Sequence, residues 1–97
     1  MQSTYTFHSD PGHGWMEVPA ADLAPLGLKK TDFSQYSYKR MNPPITSSDS
    51  PQEMLYLEED CDAPKFIERC KEKGINIKFA EVSTDNDSPI RSYQSIK

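Results

Sequence analysis

One stretch of this chain has sustained helical periodicity, and the apolar residues around it recur mostly at a period of two. Ala63, Phe66, Ile67 and Cys70 fall at i, i+3, i+4 and i+7, with Asp62 placed as an N-cap and Gly74 as a terminator. The spacing predicts a helix over Ala63–Lys73 with one apolar stripe. Lys65, Glu68, Arg69, Lys71 and Glu72 remain on its wet side. A single striped helix must bury its stripe on something else, and the remaining segments are short strand candidates. The expected fold is therefore α+β: a small antiparallel sheet of about four or five strands, packed by this helix and a short second one.

The strands follow from alternation. Tyr5–His8 places Tyr5 and Phe7 on one side, and Trp15–Val18 offers a return strand. Between them Asp10, Pro11, Gly12, His13 and Gly14 supply turn chemistry, with Asp10 able to bond its own backbone. Pro19 suits a first helical position, and Pro25 and Gly27 limit the segment after it to about two turns, with Leu23, Leu26 and Leu28 turned inward. Tyr36–Arg40 and Met54–Asp60 are expected to pair antiparallel, and Ile75–Val82 gives a last strand. Residues 1–97 read as one domain, with a flexible Pro/Ser-rich loop at about 41–53 and a polar tail from about 84, anchored by Ile90 and Tyr93.

Composition narrows the function classes. Ninety-seven residues leave no room for a second core or a large multi-step enzyme. Leu, Ile, Val and Phe supply only 17 residues, but five Tyr, four Met and one Trp add apolar area, and a net charge of −4 is too small to keep the chain unfolded. Fifteen acidic against eleven basic residues oppose direct binding to a nucleic-acid backbone. No apolar run is long enough for a membrane span, and Met1–Phe7 has no signal-peptide pattern, so the expected compartment is the cytoplasm. Cys61 and Cys70 have neither zinc-site spacing nor the number of a disulfide framework.

The strings Phe7-His8-Ser9-Asp10-Pro11-Gly12-His13-Gly14-Trp15, Tyr36-Ser37-Tyr38 and Tyr56-Leu57-Glu58-Glu59-Asp60-Cys61-Asp62-Ala63 resemble a family of small proteins of uncharacterised function encoded by bacteriophages and mobile plasmids. The resemblance reaches to about Gly74. It implies a mobile-element origin, hence a bacterial host cytoplasm, and carries over no catalytic residue. Between Arg40 and Leu55 a Pro/Ser-rich insertion stands where that family has a tight Gly-containing turn.

His8, Asp10 and His13 are metal-ligand types, and a small metal-dependent hydrolase built on that hairpin is one alternative; a turn capped by Asp10 is the simpler reading, and no metal or other cofactor is expected. A Cys/His nucleophile is disfavoured, because Cys70 belongs to the apolar helix face and Cys61 lies among Glu58, Glu59, Asp60 and Asp62, whose field raises a thiol pKa. The acidic run is the strongest feature: Glu53, Glu58, Glu59, Asp60 and Asp62 fall within ten residues that hold no Lys or Arg. Alternation puts Tyr56, Glu58 and Asp60 on one strand face, an aromatic anchor beside two charges. Together with the mobile-element origin that the resemblance implies, the expected function is a non-enzymatic accessory protein that binds and inhibits or redirects a host or defence protein with a basic surface. Its binding residues are expected to be Tyr56, Glu58, Glu59 and Asp60, with His13 and Trp15 as a second surface. A local DNA mimic occupying a nucleic-acid-binding protein is the other alternative.

Overall fold

The computed structural model of the chain describes residues 4–42 and 52–96. Six strands form one sheet: β1 (Thr4–Ser9), β2 (Gly14–Pro19), β3 (Tyr38–Asn42), β4 (Gln52–Glu58), β5 (Lys78–Ser83) and β6 (Gln94–Ser95). Their order is β5-β1-β2-β4-β3-β6. The one main helix is α1 (Ala63–Glu72). The fold is α+β as expected, but the sheet has six strands rather than four or five and is mixed rather than wholly antiparallel. β5 runs parallel to β1, because α1 carries the chain across the sheet between β4 and β5; the other pairs are antiparallel.

The helix packs where its stripe directs it. Phe66 and Cys70 are fully buried against Tyr5, Met16, Val18, Leu55 and Leu57, and the Tyr5 and Phe66 rings meet edge to face at 5.4 Å. Gly74, at φ +72°, ends the helix in the left-handed region that a side chain disfavours. The expected two-turn helix after Pro19 is instead a series of 3₁₀ turns, at Ala20–Asp22, Ala24–Leu26 and Lys30–Asp32, because Pro25 and Gly27 break any longer run. Leu23, Leu26 and Leu28 are buried by them as expected.

The sheet is also covered on its second face. The segment expected to be a polar tail makes a 3₁₀ turn at Pro89–Ser92 and then adds β6 to the β3 edge. Ile90 is buried there among Trp15, Met54 and Tyr56, with Tyr38 and Tyr93 packed alongside. Besides the expected anchors Ile90 and Tyr93, Ile96 enters the main core and Asp10 holds Ser88 and Arg91. Of the expected flexible loop, residues 43–51 lie outside the described residues, whereas Met41 and Asn42 pair with Glu53 and Gln52 and extend β3 and β4. Tyr36 and Ser37 precede β3 rather than opening it, and Ile75 and Ile77 precede β5.

Candidate functional site

The acidic run expected on one open strand face is divided by the fold among different duties. Glu53 pairs with Lys30 at 2.7 Å, a base the local sequence does not contain. Glu58 ends β4, is 8% exposed, and its Oε2 accepts the Asp60 and Cys61 amides at 3.0 and 2.8 Å, so it holds the turn into α1. Asp62 stands at the N-cap position but makes no cap bond. Fully buried, it accepts from the Ser34 amide, the Ser34 hydroxyl and the Ser37 hydroxyl instead. Only Glu59 and Asp60 of the five remain exposed.

Tyr56, expected as an exposed anchor, is buried. It is 3% exposed, because Ile90 and Tyr93 lie over its face, and its ring meets that of Tyr93 at 5.2 Å. Alternation correctly places it opposite Leu55 and Leu57, but alternation cannot tell that a segment more than thirty residues later covers that face. Tyr56 therefore cannot be an exposed anchor.

What the second face assembles is a half-open pocket of about 270 Å³ at the end of β2 and β4. Trp15 and Glu58 are directly opposed across the two strands. Around the Trp15 ring stand His13 at 6.0 Å, Tyr38 edge-on at 6.2 Å and the Arg91 guanidinium at 5.5 Å. Tyr36, 59% exposed, lines the same pocket, as do Asp60 and Cys61. Trp15 is 2% exposed, and its indole N–H has no acceptor among the described residues.

Arg91 does not bring a free positive charge. Its Nε and Nη2 donate to the two Asp10 oxygens at 2.6 and 2.9 Å, and the Ser88, Gly12 and His13 amides donate to the same carboxylate. Arg91 first, and then the Ser88 amide, hold the Asp10 carboxyl well below the usual carboxylate range. With that pair neutral, Glu58 and Asp60 leave the pocket an excess of negative charge beside aromatic walls. The Cys61 thiol is pushed up by its hydrogen bond to Glu58 and then by burial, so it is not an activated nucleophile. The Cys70 thiol is pushed up mainly by burial.

A second cavity, of about 330 Å³, lies across the Pro89–Ser92 turn and is lined by His8, Glu17, Arg40, Tyr56, Ile90 and Tyr93 among others. His8 Nε2 lies 3.3 Å from Glu17 Oε1, and Arg40 Nη1 donates to the Tyr93 hydroxyl at 2.9 Å. The bond to His8 lowers the Glu17 pKa, and burial raises that of the Tyr56 phenol above its ordinary value. Among the described residues no three His, Cys, Asp or Glu side chains are grouped to hold a metal ion. Asp10 is taken up by Arg91 and three amides, so the His8/Asp10/His13 hydrolase lacks its carboxylate ligand.

Comparison with protein-family models, curated proteins and solved structures finds no match for this chain. No helix among the described residues is long and apolar enough to cross a membrane. Of the six residues expected to bind a partner, His13, Trp15, Glu58 and Asp60 meet in one pocket, Tyr56 lines the second cavity, and Glu59 lines neither of the two. Tyr36, Tyr38, Cys61 and Arg91 were not expected. The first three lie within the strings that carry the resemblance, but Arg91 sits in a polar segment with no local sign of its ring contact.

Proposed function

We propose that this protein is a binding module whose acidic aromatic pocket receives a cationic side chain, arginine or lysine, of a partner protein. The observation that carries this reading is the joining of Trp15, Tyr36 and Tyr38 with Glu58 and Asp60 in one pocket whose own cation, Arg91, is already neutralised by Asp10. A cation entering it meets the exposed Tyr36 ring and the exposed Asp60 carboxylate, with the buried Glu58 adding its negative field. All three strings that carry the resemblance to phage and mobile-plasmid proteins line this pocket, and on that resemblance the partner is a host or defence protein in the bacterial cytoplasm. Local DNA mimicry has less support. Glu58 and Asp62 are buried and Glu53 is paired with Lys30, leaving Glu59 and Asp60 as phosphate substitutes.

The test is affinity capture from bacterial host lysate at low and moderate salt, beside a Tyr36→Ala/Asp60→Lys variant. Both positions are exposed, so the variant keeps its fold. A stoichiometric partner is expected with the parent protein and not with the variant. Its measured affinity should fall at least about tenfold on the double substitution and decrease with salt. Equal affinity of parent and variant at both salt concentrations would remove the pocket from the function.

A further inference from the structure

The two edges of the sheet are finished differently. At one end β6 contributes only two residues, which blunts that edge. At the other, β5 is six residues long, holds no proline, and is exposed at every position. Among the described residues its one extensive contact is with β1; on the helix side Phe79 meets the Phe7 ring edge to face at 6.0 Å, and on the other side Val82 borders a cavity shared with Pro89 and Ile90. Phe79, beside Tyr5, is 43% exposed on the helix side, and Val82, beside His8, is 45% exposed on the opposite side. β5 is thus an edge strand paired in parallel and exposed along its whole length.

We propose that β5 is a self-association edge, at which two copies of this chain pair their β5 strands antiparallel about a two-fold axis at Ala80. The second copy is the occupant that the strand itself specifies. A two-fold perpendicular to the sheet keeps every side chain on its own face, so residues pair only with residues of the same parity. Centred on Ala80, Phe79 stands opposite Glu81 of the second copy and Lys78 opposite Val82, so no charge meets its like. Centred one residue later, Glu81 opposes its own copy. Centred one residue earlier, half the pairs fall outside β5. In the Ala80 register the aliphatic stem of Lys78 lies along Val82, and the outward amides and carbonyls of both strands are satisfied. The small Ala80 side chain occupies the crowded axis. The pairing is independent of the acidic aromatic pocket.

A single strand pair is a small interface, so association should be concentration dependent. Sedimentation equilibrium is expected to show the mass rising from 11.1 kDa toward twice that value as the protein is concentrated to about 1 mM. Phe79→Glu sets a carboxylate against Glu81 twice per dimer and should weaken association at least about tenfold, whereas Phe79→Lys, which sets opposite charges together, should weaken it less. In a Cys61→Ser background, Ala80→Cys should cross-link under mild oxidation and Glu81→Cys should not. A constant 11.1 kDa at every concentration overturns the proposal. So does equal weakening by Phe79→Glu and Phe79→Lys, or faster cross-linking at position 81 than at position 80.

Discussion

At the scale of single residues, two carboxylates carry more of this structure than their sequence neighbourhoods suggest. Asp10 closes its own turn through the Gly12 and His13 amides and ties down Ser88 and Arg91 from the far end of the chain. Its folded pKa lies below the unfolded value of about 4, so its contribution is present above that pH and is lost as pH falls through the folded value. Asp10→Asn is therefore expected to lower the melting temperature at pH 7 and to flatten its fall between pH 5 and pH 2, measured by thermal unfolding across that range. Equal pH slopes for parent and variant would contradict the assignment. Asp62 is the second case. Removing it strands the buried Ser37 hydroxyl and unpairs the half-buried Ser34 donors, and Asp62→Ala should cost about 3 kcal/mol, or roughly 10 to 20 °C of melting temperature. Asp62→Asn, which keeps an acceptor, should cost less.

At the scale of elements, the hairpin of β1 and β2 shows how a glycine can be fixed by its neighbours rather than by its dihedrals. A Cβ built on Gly14 would stand 2.6 and 2.8 Å from two atoms of the Phe7 ring and 3.0 Å from Glu59. Gly14→Ala is accordingly expected to destabilise by roughly 1 to 3 kcal/mol, and Phe7→Leu in the same chain to recover part of the loss, which a double-mutant denaturation cycle measures. The helix and the first four strands were legible in the sequence because each depends on its own periodicity and turn residues. The Ala63–Lys73 stripe, the Asp10 turn and the Leu55/Leu57 alternation all specify local outcomes. Where the reading failed, the deciding contact was distant. Tyr56 has the alternation of an exposed aromatic and is buried by Ile90 and Tyr93, and Asp62 has the position of a helix cap and spends its oxygens on Ser34 and Ser37.

For the whole molecule, the sheet is clothed on both faces over most of its width, by α1 and the 3₁₀ turns on one side and by the C-terminal segment on the other. This explains why the candidate pocket was only partly legible. His13, Trp15, Glu58 and Asp60 stood out by composition, but the wall that completes their pocket is Arg91, held 81 positions from the Asp10 that neutralises it. The parallel pairing of β1 with β5 has a further consequence. β1 is made long before its partners on β5 and the C-terminal turn: Thr4 waits for Lys78, and Asp10 for Arg91. At ordinary elongation rates the 81 residues between Asp10 and Arg91 take roughly 4 to 16 s to make. Throughout that time Tyr5, Phe7 and Trp15 have no finished core to enter, and a lone hairpin is at best marginally stable in water. Vectorial synthesis thus leaves an aromatic nascent hairpin available to chaperones until the segment holding Lys78 and Arg91 has emerged.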